Sequence, residues 1–134
     1  MTSVAVRTAL GSWLVDLETE ELLEGDVEVE SPPPVDVSLP RVIAAAAAGS
    51  TVVAVLDLRP PLAVSHDAGS TWREAGAGLP RGRAIAVDLE NPDRILYGAR
   101  NRLFLSEDGG RFWRALTLEL PEIEAVMFVG EPRI

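Results

Sequence analysis

Short apolar runs separated by turn residues recur along the whole chain, too closely spaced for helices. Arg41–Ala48, Ala84–Asp88 and Glu124–Val129 are nearly continuous in apolar residues, and each follows a Leu-Pro pair: Leu39-Pro40, Leu79-Pro80 and Leu120-Pro121. Such runs suit strands buried on both faces. Thr51–Leu56 and Arg94–Gly98 follow, rich in Val, Ile, Leu and Tyr, then Leu62–Ser65 and Leu103–Ser106. Trp72–Ala75 and Trp113–Leu116 begin a fourth strand. The alanine run inside Arg41–Ala48 has helical propensity by itself. It aligns with two other strands and is flanked by Pro40 and Gly49, so a strand is expected there too.

The runs form a repeat. Ser65-His66-Asp67-Ala68-Gly69-Ser70-Thr71-Trp72 and Ser106-Glu107-Asp108-Gly109-Gly110-Arg111-Phe112-Trp113 both fit S-x-D-x-G-x-[TF]-W. Asp67 and Asp108 lie 41 residues apart, as do Trp72 and Trp113. A period of about 40–45 residues is that of one four-stranded propeller blade. With the strands of a blade lettered A to D from the inside, residues 39–78 make blade 2 and residues 79–119 make blade 3. Ser3–Thr8, Trp13–Leu17 and Leu22–Val29 read as strands B, C and D of blade 1, within residues 1–30, with a degenerate turn at Glu18–Glu21. Pro32-Pro33-Pro34 marks Ser31–Pro40 as a linker, because proline donates no ladder hydrogen bond. Glu124–Val129, within residues 120–134, is an A strand with no B-C-D set after it.

The two S-x-D-x-G-x-[TF]-W segments resemble Asp-box (BNR) repeats, found in sialidase-like propellers, other glycosidases, sortilin-type receptors and photosystem II assembly factors. The resemblance covers about residues 39–129. It implies an all-β fold in which Ser65, Asp67, Gly69, Trp72, Ser106, Asp108, Gly110 and Trp113 build structural hairpins between strands C and D. It also implies that these hairpins lie away from the ligand-binding face. The residues agree: an Asp in a turn accepts bonds from nearby N–H groups, and glycine permits left-handed backbone. Trp72 and Trp113 are expected to pack between neighbouring blades. Sialidase activity is not carried over. The family's Arg-Ile-Pro near the N-terminus is absent, and Arg59-Pro60-Pro61 is no equivalent. The lone tyrosine, Tyr97, sits in an apolar strand where core packing is expected.

Composition narrows the chemistry. The net charge is −9 at pH 7, against a general nucleic-acid role, which needs a basic footprint. There are no cysteines and one histidine, His66, so thiolate or imidazole-rich metal sites are not expected, nor is a cofactor. His66 reads as a solvated turn residue. Glu18–Glu30 holds seven carboxylates in thirteen residues, but they alternate with Leu and Val, as on a solvent-facing strand. Gly76-Ala77-Gly78 lacks the Gly-Lys-Ser/Thr of a phosphate loop. No membrane segment or signal peptide is expected, since glutamates interrupt the first 25 residues and Val42–Ala48 is only seven long. The expected location is the cytoplasm.

Arginine is the only cationic side chain besides His66, and its placement is uneven. Arg7, Arg59, Arg100 and Arg102 fall in or beside B–C loops, and Arg81 and Arg83 in a D–A loop. In a propeller these loops share the face that usually binds ligands. Arg59 and Arg100 each lie six residues before the serine of a repeat turn. These six arginines are the candidate sites for an anionic ligand, glycan or protein partner. No catalytic residue stands out, and a non-enzymatic binding or scaffold module is the preferred reading. The alternative is a carbohydrate-active propeller whose site forms only on oligomerisation. Three blades are too few for a ring. The expectation is therefore an obligate C2 homodimer of six blades, in which Glu124–Val129 of one chain completes blade 1 of the other.

Overall fold

A computed structural model of the chain describes residues 3–23, 27–30 and 33–129. It is all-β. The strands are β1 (Ser3–Thr8), β2 (Gly11–Asp16), β3 (Leu22–Leu23), β4 (Val42–Ala48), β5 (Thr51–Leu56), β6 (Leu62–Ser65), β7 (Arg73–Ala75), β8 (Gly82–Val87), β9 (Ile95–Ala99), β10 (Arg102–Ser106), β11 (Arg114–Glu119) and β12 (Ile123–Val129). The alanine run is strand, paired along its length with the valine-rich β5. Its neighbours decide this over propensity, because a β-branched partner strand offers a pleated surface that small side chains cover.

The strands form three four-stranded antiparallel sheets: sheet I in the order β12-β1-β2-β3, sheet II β4-β5-β6-β7 and sheet III β8-β9-β10-β11. Two expectations need correction. The strand expected over Leu22–Val29 forms a ladder only at Leu22–Leu23. Residues 24–26 lie outside the described residues, and Val27–Glu30 carries no strand pairing. Val27 and Val29 instead turn their side chains onto the face of sheet I, with Ala5, Leu14, Ala125, Met127 and Val129. Val27–Glu30 keeps the alternation but uses it to lie on a sheet, not to join one.

The second correction concerns β12. It pairs with β1 of its own chain, from Ser3 opposite Val129 to Thr8 opposite Ile123, with a bulge near Arg7. Sheet I is thus completed within one chain, where exchange between two chains was expected. The connections show why this is possible. Sheet II reaches sheet III through residues 76–81, and sheet III reaches β12 through residues 120–122. The passage from β3 to β4 takes residues 24–41, three times the longer of these. That slack lets sheets I and II sit at opposite ends of a row with sheet III between them.

Sheet III is the shared wall. One face packs on sheet I through Leu96, Leu103, Leu105 and Leu116 against Val4, Val6, Val15 and Ile123. The other packs on sheet II through Ile85, Ile95 and Tyr97 against Val53, Val55, Leu62 and Val64. Tyr97 is fully buried, its hydroxyl donates to the Pro80 carbonyl at 2.7 Å, and burial pushes its phenol up to about 12. That is a core tyrosine. The seam between sheets III and I is tight at Gly98. A Cβ there would stand 2.9 Å from both the Ala84 Cβ and an Ile123 methyl. Gly98→Ala should therefore cost about 1–3 kcal/mol by overpacking. Urea unfolding should show a lower midpoint with an unchanged slope.

Candidate functional site

The loops divide between two ends of the sheets. Asp57, after β5, pairs with Arg81, before β8, at 3.1 Å. The Ile123 amide donates to the Arg100 carbonyl, and the Ala9 amide to that of Glu122. These contacts gather the β1–β2, β5–β6 and β9–β10 turns with the connections into β8 and β12 at one end. At the other end, the Ala68 amide donates to Ser50 and the Gly109 amide to Asp93, joining the repeat turns to the β4–β5 and β8–β9 connections.

The two repeat turns are closely alike. Buried Ser65 donates through Oγ to Asp67 Oδ1 at 2.7 Å and accepts from the Gly69 amide at 2.8 Å. Buried Ser106 does the same with Asp108 and Gly110, at 2.8 Å each. The aspartate then receives the far side of the turn. Asp67 accepts from the Thr71 amide at 2.8 Å and its hydroxyl at 2.6 Å. Asp108 accepts from the Arg111 and Phe112 amides at 3.1 and 3.0 Å. The Thr71 hydroxyl and amide and Ser65 hold the Asp67 carboxyl down at about 2, and the Phe112 amide leads the lowering at Asp108. Both carboxylates are stronger acids than usual, the reverse of what proton donation requires. Gly109 and Gly110 have φ of 76° and 92°, whereas Ala68 takes 57° at the first turn.

The tryptophans part company. Trp113 packs at the sheet II–sheet III seam, edge-on to Tyr97 at 6.3 Å, with its indole N–H donated to the Gly110 carbonyl. Trp72 lies instead on the outer face of sheet II with Ala54, Leu56 and Ala63, under Val37 and Leu39 of the connection. Two arginines not singled out from the sequence latch neighbouring sheets here. Arg73 donates to the Gly109 carbonyl at 2.8 Å, and Arg114 pairs with Glu20 at 3.4 Å. They stand 41 residues apart, so the repeat itself carried their signal. Glu20 also accepts from the Thr117 amide at 2.7 Å, and Asp16 caps Glu18 and Thr19. The degenerate turn of sheet I thus does its work with a different pair of acids. His66, exposed, has its ring within 3.4 Å of the Thr51 hydroxyl.

Five of the six candidate arginines come from the β1–β2, β5–β6 and β9–β10 turns and the connection into β8, or the strand ends beside them, and Arg83 lies one residue inside β8. Four of the six are paired: Arg7 with Glu124 at 3.6 Å, Arg81 with Asp57, Arg83 with Glu122 at 3.6 Å and Arg102 with Glu119 at 3.1 Å. Arg83 also donates to the Ile123 carbonyl and Arg7 to that of Val29. Arg59 and Arg100 are exposed and have no carboxylate partner among the described residues. The strands β4, β8 and β12, with Pro33–Val35, line a cavity of about 360 Å³. Its wall is mainly alanine, valine and proline, with Arg83 and Glu124 as its charged members.

Lowering the pH should test the turn directly. Below the unfolded-state value near 3.8, the unfolded chain takes up a proton that folded Asp67 refuses until about 2. The turn's contribution is therefore complete above 3.8 and fades as pH falls through about 2. Asp67→Asn should flatten that part of a stability-against-pH curve measured by urea unfolding. Ala68→Gly should hold or raise stability by up to about 1 kcal/mol, since a left-handed alanine costs about 1–2 kcal/mol and glycine's greater unfolded freedom offsets part of it.

The chain matches no protein-family model, no curated protein and no solved structure, so its function is to be read from its own loops and turns.

Proposed function

We propose that this chain is a binding or scaffold module of the Asp-box propeller kind, its three sheets being three blades, that takes an anionic ligand on the face bearing Arg59 and Arg100. The observation that carries this reading is the contrast among the six arginines. Four are matched to carboxylates of the same face, in exposed pairs worth about 0–1 kcal/mol each. The two without acidic partners among the described residues are the pair that the 41-residue repeat relates, each in a turn between the second and third strands of its sheet. A guanidinium free of internal pairing keeps its planar fork available for carboxylate, phosphate or sulfate oxygens. A cavity walled by small apolar side chains, with Arg83 in its lining, offers room for the body of such a ligand.

The lowered pKa values of Asp67 and Asp108 suit turn-building carboxylates and favour binding over glycosidic catalysis. Self-association into a six-bladed ring belongs to the same reading. Two copies supply the blade number that one lacks.

Calorimetric titration with inorganic phosphate, sulfate and citrate tests the site. The wild-type chain should bind at least one of these. Arg59→Ala and Arg100→Ala should each weaken binding about tenfold to a hundredfold, the value of a hydrogen bond to a charged group. Arg81→Ala, which removes an arginine already paired with Asp57, should change it little. Equal affinity in the double Arg59→Ala, Arg100→Ala variant would overturn the assignment.

A further inference from the structure

Sheets I and II, at the two ends of the row, each have a second apolar face, and residues 27–30 and 33–39 lie across them as a strap. Val27 and Val29 cover sheet I; Val37 and Leu39 cover sheet II. The cover is partial. Leu22, Val42 and Ile43, on the end sheets beside the strap, remain 37–47% exposed. No buried cluster among the described residues joins sheet I directly to sheet II.

The repeat says what kind of surface the far face of sheet II is. Ala54, Leu56, Ala63 and Trp72 occupy it, and the residues 41 further on are Ile95, Tyr97, Phe104 and Trp113. Those four form the face that sheet III turns toward sheet II. The far face of sheet II therefore corresponds to a face that receives a preceding sheet. The far face of sheet I is the opposite kind. Sheet III uses one face to meet sheet II and the other to meet sheet I; sheet I has used only the first kind. Within one row these two complementary faces lie at opposite ends.

We propose that they are a homotypic interaction surface. Resting on the reading of the sheets as blades, sheet I of one copy packs against sheet II of a second, and the reciprocal contact closes a six-bladed ring of two-fold symmetry. Each chain keeps its own β12, so no strand is exchanged. The long connection fits this arrangement. In a strand-exchanged ring, residues 24–41 would join adjacent blades, a step that takes six residues or three elsewhere in this chain. Joining the two ends of a three-blade row needs the extra length. The strap stays in the seam as filler. Ala54 and Ala63 stand where sheet III has Ile95 and Phe104, and the missing volume is supplied by Val37 and Leu39.

Cross-linking between separately made copies of the full chain distinguishes the arrangements, because the chain has no native cysteine. A Leu14→Cys copy is mixed with a Leu58→Cys copy and treated with a short bismaleimide, beside sedimentation of the wild type at micromolar concentration. Leu14 lies on the far face of sheet I and Leu58 on that of sheet II. A dimer with cross-links between unlike copies is the expected result. A wild-type monomer, or linkage that never forms between the unlike copies but does form within a separately made Leu14→Cys, Leu58→Cys chain, overturns it. The second outcome would indicate strand exchange or closure within one chain. Val37→Ser with Leu39→Ser should weaken the dimer at least tenfold while circular dichroism stays β. A dimer unmoved by these changes would remove the strap from the seam. Phosphate and sulfate binding is read on the same samples, so retained binding without a dimer overturns the assembly alone. Loss of binding in an intact dimer overturns the ligand reading alone.

Discussion

Each sheet here is apolar on both faces, and the need to cover six such faces arranges everything else. Sheet III satisfies the requirement with neighbours on both sides, and its Leu96, Tyr97, Leu103 and Leu116 are fully buried. Burying side chains of this size is worth about 1.5–3 kcal/mol each, far more than any exposed ion pair on the loops. Sheets I and II have one neighbour each. The strap exists because the second face of each would otherwise meet water. Its valines fall at alternate positions for the reason that strand residues do, though it forms no ladder.

The turns hold the sheets in register at little energetic risk. Two use a buried serine and an aspartate to gather the amides that a tight reversal leaves unpaired. The third reaches the same end with Asp16 and with Glu20, which also ties sheet I to β11. Similar geometry from unlike residues suggests that the requirement is for satisfied backbone amides and a link to the next sheet, not for a particular motif. Arg73 and Arg114 provide that link at one regular turn and at the degenerate one alike.

Much of this was legible in the sequence. The period, the Leu-Pro punctuation and the apolar runs located eleven strands to within a few residues, nine of them through copies about forty residues apart and β1 and β2 by the order of strands in the repeat. The segment after Glu21 has no such copy. Its alternation is equally that of a strand and of a strap, and only the three-dimensional position of sheet I separates them. The partner of β12 was legible as a sheet but not as a chain, since pairing rules name a strand and not the molecule that carries it. At the candidate site, the sequence located the arginine loops. It did not reveal that Glu119, Glu122, Glu124 and Asp57 neutralise most of them, because those acids come from other turns and strand ends.

Sheet I joins the two ends of the described chain, with Val6 opposite Val126. During synthesis, β1, β2 and β3 emerge before sheets II and III and wait while those are made. Through that interval their apolar faces and the free edge of β1 have no partner. Sheet I can be completed only once β12 arrives, and it then closes the longest loop in the molecule, which is a slow kind of step. The order of manufacture and the order of assembly run in opposite directions, so β1, β2 and β3 are made before sheets II and III and finished after them.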